Sequence, residues 1–184
     1  MEEKSRILKK INSECFGGSE NQLRLLLKYL PDGSFKDINL VLNNTDHDLL
    51  EKNRINILWM QHFVNQEQAK NLGAKDYVDK LDYIVFNSNW NFEKFQYQFK
   101  IPESKSLVIK NAVENIDFQE KPKDKINLIY HTTPWRGLFN LINIFESLNL
   151  EKVELNVCSS TIIYGKKFDN ILGKKYQNLF DRCK

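Results

Sequence analysis

A chain of 184 residues that is 41% hydrophobic and 28% charged has apolar material for a core and too much of it for a disordered segment. Its 27 Lys and Arg against 24 Asp and Glu leave a formal charge of +3, scattered along the chain, which argues against nucleic acid as the main ligand. Cys15, Cys158 and Cys183 lack any C-x-x-C spacing, so neither a disulfide framework nor a zinc site is indicated and a reducing cytoplasm fits best.

Short apolar runs alternate with segments of helical period, the pattern of an α/β protein with β/α units stacked around a mostly parallel sheet. Residues 6–9 read as a first strand. After Gly17-Gly18, the residues Leu23, Leu26, Leu27 and Leu30 recur at helical spacing until Pro31 and Gly33 stop them. Residues 38–42 read as a strand, 46–52 as a helical turn, and 55–60 as a strand buried on both faces. Residues 66–80 read as one helix, 81–86 as a strand, 89–100 as a helix presenting Trp90, Phe92, Phe95 and Phe99 with Trp90 in the core, and 106–109 as a strand. These make a Rossmann-like domain over residues 1–115.

From Glu114 to Lys125 the chain turns charged around Pro122, as an interdomain linker does. A second βα rhythm follows: a strand over 126–130, a helix with Leu138, Leu141, Ile142, Phe145 and Leu148 on one face, a strand over 153–158, and a helix from about Tyr164 to the end. Two strands and two helices cannot close a Rossmann sheet, so residues 116–184 are expected to be an incomplete second Rossmann-like domain. No stretch reaches the about eighteen apolar residues of a membrane span, and residues 1–10 lack the apolar run of a signal peptide. Six Lys or Arg against two Asp over 166–184 leave open a peripheral contact with an anionic inner membrane face.

Four constellations could carry chemistry, each at a strand-to-helix junction. Gly17-Gly18-Ser19-Glu20 lets backbone approach an anion or sugar, with Ser19 as helix cap, and taken by itself reads first as a plain capped turn. Trp59-Met60-Gln61-His62 ends the third apolar run, where α/β sheets gather their ligands; His62 could bond a sugar hydroxyl or be satisfied locally, as could Asn65 and Gln66. In Asn87-Ser88-Asn89-Trp90, Ser88 or Asn89 reads first as a helix cap. Tyr130-His131-Thr132-Thr133-Pro134-Trp135-Arg136-Gly137-Leu138 brings hydroxyls, helix-start N–H groups and a guanidinium together, the needs of a diphosphate, although Arg136 could instead serve a structural salt bridge. Glu146 and Glu154 have the spacing of a paired-glutamate motif, but one falls on a helix and the other on a strand, so the spacing is read as chance.

In this order, Gly17-Gly18-Ser19-Glu20, Leu58-Trp59 with His62, Phe86-Asn87-Ser88-Asn89-Trp90, Val108-Ile109-Lys110-Asn111-Ala112-Val113 and Tyr130 to Leu138 resemble the family-four-like glycosyltransferases of the two-domain GT-B fold. The resemblance implies a retaining transfer from a nucleotide-sugar donor, held mainly by the second domain, to a saccharide, lipid-linked or protein acceptor held mainly by the first. It implies that no metal or further cofactor is needed, because basic side chains neutralise the departing diphosphate. Carried over, Gly17 and Gly18 approach the donor phosphate or the acceptor, His62 touches the transferred sugar, Arg136 takes the diphosphate and Thr132 assists it. Asn111-Ala112 stands where the family often has Asn-Gly, and the family's glutamate-containing loop is expected beyond Lys184, so a truncated chain is expected. The competing expectation is a non-catalytic nucleotide-binding or protein-interaction module that keeps the fold and pairs its unfinished sheet with another copy or a complementing chain. A dehydrogenase is set aside for want of G-x-G-x-x-G.

Overall fold

The computed structural model describes Lys4, Ile7 and residues 14–183. The strand expected over 6–9 lies outside the described residues apart from Ile7, which is helical and buried. The described residues form two units: Lys4, Ile7 and residues 18–113 in the first, residues 14–17 and 114–183 in the second.

The first unit is built on a four-stranded parallel sheet in the order β1 (Ile38–Leu42), β2 (Ile55–Met60), β3 (Tyr83–Phe86), β4 (Ser106–Val108). The register pairs Leu42 with Trp59 and Trp59 with Val85, so side chains two apart share a face along every strand. Leu40, Trp59 and Val85 pack on one face against Leu23 and Leu27 of helix α1 (Gly18–Tyr29), together with Ile7 and Phe35. Val41, Leu58, Met60, Ile84 and Phe86 pack on the other face with Phe95 of helix α3 (Asn89–Phe99) and with Ala69, Leu72, Tyr77 and Leu81. Both faces are covered, as a parallel sheet requires, which is why β2 reads as a nearly continuous apolar run, interrupted by Asn56.

The single helix expected over 66–80 is instead a 3₁₀ segment, Glu67–Gly73, followed by a five-residue helix α2, Lys75–Asp79. Thr45 causes the break: its backbone N–H donates to Gln68 O (3.1 Å), while its carbonyl accepts from Asn71 Nδ2 (2.7 Å). Those bonds tie the segment to the end of β1, and Ala74, extended at φ −99° and ψ 118°, separates the two pieces. Trp90 is a second correction. It is 55% exposed and stacks on Phe63, centroids 5.6 Å apart, instead of entering the core. Position 90 follows Ser88 by only two residues, so it lies on the outer side of the first turn, whereas Phe95 is fully buried.

In the second unit β5 (Ile126–Tyr130) pairs in parallel with β6 (Val153–Val157). Leu138 and Ile142 of helix α4 (Leu138–Leu148) meet Leu179 of helix α5 (Lys166–Asp181), with Tyr130 and Val157 packed against them. The far face of this two-stranded sheet carries Asn127, Ile129, Glu154 and Asn156, all exposed. Residues 14–17 join this unit through an antiparallel bridge between Cys15 and Tyr164, and Phe16 N–H donates to Ile163 O at 2.7 Å. Between Glu114 and Lys125 the chain is exposed and without regular structure. Among the described residues no helix is long and apolar enough to cross a membrane.

Candidate functional site

In a parallel sheet, loops at the carboxyl ends of the strands collect polar groups freed from the ladder. In the first unit the end of β1 is Asn43, a buried residue in the left-handed region at φ 52°. Its backbone N–H continues the ladder to Trp59 O (3.0 Å). Its side-chain Oδ1 accepts from the backbone N–H groups of Gln61 (2.6 Å) and His62 (3.2 Å), and its Nδ2 donates to Ser19 Oγ at 2.7 Å. Ser19 is therefore occupied inside the first turn of α1, which begins at Gly18, and is not the helix cap that the sequence suggests.

His62 lies just past β2 and is half-buried, and its Nδ1 is buried with no partner. Burial pulls its imidazole below the ordinary histidine value, with the Glu20 carboxylate opposing, so the ring is neutral at pH 7. Gln61 Nε2 is likewise buried and unpartnered. A neutral imidazole and a primary amide side by side offer both acceptor and donor atoms, the complement of a hydroxyl. The indole N–H of Trp59 is a third buried polar group without a partner; Trp59 lines an apolar groove of about 220 Å³ between α1 and residues 109–113. At the next strand end Ser88 caps α3, its Oγ accepting from Asn91 N–H at 3.1 Å. Asn65, Gln66 and Asn111 are exposed.

In the second unit β5 leads into a turn whose hydroxyls are only partly satisfied. Tyr130 OH donates to Thr133 O (2.7 Å). Burial holds that phenol above the ordinary tyrosine value, a bond from the Leu138 backbone and the charge of Arg136 offsetting only part of the rise. Thr133 is 3% exposed and its Oγ1 has no partner; Ser159 Oγ, just past β6, is also buried and unpartnered. Thr132, the hydroxyl singled out from the sequence, is half-buried, and His131 is exposed. Arg136 is exposed in the turn, its backbone N–H bonded to Thr133 O (3.0 Å). Among the described residues no carboxylate pairs with its guanidinium. Gly137 follows at φ 95° and opens α4.

The sequence-derived residues thus divide between the units. Gly17, Thr132 and Arg136 belong to the second, Gly18 and His62 to the first. Neither Gly17 nor Gly18 has a positive φ, and a Cβ on Gly18 would meet nothing within 4 Å. Three residues carry more of the local chemistry than the sequence signalled: Asn43, Gln61 and Thr133. An Asn-Asn pair after an apolar run was the visible trace of Asn43, since Asn tolerates the left-handed region; a Thr-Thr pair did not reveal which member would be buried. Glu146 and Glu154 have separate structural partners, Arg182 at 2.6 Å for the first and Lys125 for the second. Among the described residues no group of three or more His, Cys, Asp or Glu gathers as a metal site.

No protein-family profile matches the chain, and no curated protein matches its sequence. Among solved structures, the crystal structure of accessory secretory protein 1, 2 and 3 in Streptococcus pneumoniae aligns with 89% of this chain and 34% of that one, at 11% identity and a TM-score of 0.41. The chain spans about a third of that neighbour's length.

Proposed function

We propose that the chain carries part of a glycosyltransferase that moves a sugar from a nucleotide-sugar donor with retention of configuration, the second unit holding the donor diphosphate and the first unit contacting sugar or acceptor. The observation that carries the reading is Arg136. It is a permanent, exposed charge without a carboxylate partner, set at the end of a parallel strand directly before the positive end of an eleven-residue helix. A salt-bridge role would need a partner that the described residues do not supply. Thr133 and Thr132 are the hydroxyls nearest in sequence to that charge, and His62 with Gln61 offers the complement of a sugar hydroxyl in the first unit. In this reading no metal takes part, since Arg136 and the helix start meet the negative charge of the leaving diphosphate.

Calorimetric titration with UDP, GDP and ADP tests it. Wild-type chain is expected to bind a nucleoside diphosphate weakly, more weakly as salt rises, and Arg136→Ala to lose that binding while remaining folded. Equal binding by both proteins removes Arg136 from the site.

A second reading, a protein-interaction module, is favoured by one observation. Ile129 on the open face of the sheet, and Ile144 and Leu148 one turn apart on α4, are all more than half exposed, apolar groups of the kind that partners cover. Light scattering across a concentration series distinguishes a self-associating chain from a monomer.

A further inference from the structure

We infer that Asn43 is a positioning residue: its carboxamide fastens the Gln61–His62 turn to the first turn of helix α1, and this sets where the unpartnered Gln61 Nε2 and His62 Nδ1 point. For its catalytic meaning this rests on the reading of His62 proposed above; the positioning itself is a property of the chain without substrate.

The β1–β2 ladder ends with Asn43 N–H on Trp59 O, and the two residues after β2 turn away from the sheet. Their N–H groups have left the ladder and need acceptors. One oxygen, Asn43 Oδ1, takes both, at 2.6 and 3.2 Å. That bifurcated acceptance fixes two consecutive peptide planes and so the directions in which side chains 61 and 62 leave the chain. The other end of the carboxamide is spent on Ser19 Oγ at 2.7 Å. Three pieces of chain distant in sequence, the first turn of α1, the end of β1 and the turn after β2, are thereby held by a single 7%-exposed side chain.

The position selects its residue closely. A left-handed φ of 52° favours Asn, Asp and Gly, but Gly has no oxygen to offer the turn. Asp differs in an informative way: a carboxylate can accept from both N–H groups and can also accept from Ser19 if that hydroxyl reverses to become the donor. Asn43→Asp is therefore predicted to keep the geometry and change the charge, whereas Asn43→Ala removes the geometry. Among the described residues the charge felt by His62 is that of Glu20, so a new carboxylate at 43 would add to its field and favour the protonated ring.

The test is NMR on the chain without ligand. In Asn43→Ala, exchange of the Gln61 and His62 amide hydrogens is expected to speed up by roughly tenfold beyond that of Leu58 and Met60 in the strand, about the worth of one hydrogen bond. The His62 titration should rise toward the ordinary histidine value as the released ring gains solvent. Asn43→Asp should keep both amides protected and raise the His62 titration by charge alone. Ser19→Ala, which leaves the acceptor in place, should give a smaller acceleration at the same two amides, and it keeps the test open if the alanine variant at 43 does not fold. Asn56→Ala serves as the control, because loss of that buried amide lowers the melting temperature without singling out residues 61 and 62. Unchanged amide protection and an unchanged His62 titration in a folded Asn43→Ala or Ser19→Ala chain would overturn the assignment, whatever the outcome of nucleotide binding.

Discussion

Two charged or titratable side chains decide how the candidate chemistry can be tested. Arg136 is exposed and unpaired, so Arg136→Ala should leave the melting temperature within about a degree or two while abolishing diphosphate binding; surface changes away from buried networks cost little. Arg136→Lys should recover part of the binding, because an ammonium keeps the charge and loses the two-pronged geometry. Melting and titration on the same preparations separate the two effects. His62 makes a pH signature. Burial lowers its folded-state pKa, so as pH falls through about 6.5 the unfolded chain takes up the proton first. Its contribution is intact above that value and declines as pH drops toward the lower folded-state value. Melting curves between about pH 8 and pH 5 should therefore fall less steeply for His62→Gln than for wild type. At this scale the sequence exposed residue types but not their partners: His62 and Arg136 stood out by chemistry and position, whereas Asn43 and Thr133 acquire their weight only when burial leaves their polar atoms with specific bonds or none.

Elements with strong apolar period were legible almost to the residue. Helix α1, β1, β2, β5 and α4 lie where Leu and Ile spacing places them, because their burial is set by the sheet they pack on. Residues 66–80 were not, because there a side-chain network overrides helical propensity. Such networks also bind the sheet. Asn56 accepts from Asn39 Nδ2 at 2.7 Å and from Glu51 N–H at 3.0 Å, donates to Glu51 O at 3.0 Å, and through its backbone N–H reaches Asp82 at 2.7 Å. Asn56→Ala takes one of two acceptors from the buried Asn39 Nδ2, which keeps Leu49 O, and removes the acceptor that Glu51 N–H uses; it is expected to cost about 1–3 kcal/mol, read from urea denaturation. Gly137 is the corresponding point in the second unit. A Cβ there meets no neighbour, so Gly137→Ala costs only the strain of φ 95°, about 1–2 kcal/mol, with the loss confined to unfolding of the second unit.

The whole molecule is two βα units joined through an exposed stretch with Lys121, Lys123 and Lys125 in it. Brief trypsin treatment should cut there first, giving two fragments on a denaturing gel; a first cut inside β2 or α3 would contradict the division. The change of composition after Glu114 made the stretch visible in the sequence. The membership of residues 14–17 was not visible, since a four-residue excursion carries no periodicity and its partners lie at the other end of the chain.

That excursion has a consequence for synthesis. The bridge from Cys15 to Tyr164 spans 149 positions, and Lys166 N–H meets the Glu14 carboxylate 3.4 Å away at the start of α5. A chain leaving the ribosome exposes residues 14–17 long before their partners at residues 163–166. The first unit can fold while the chain is being made, but the second must wait for residues 163–166 before it can recruit residues 14–17. Completion of the second unit therefore lags well behind that of the first, and until it happens Phe16 and its neighbours are open to whatever else in the cell binds an unpaired strand.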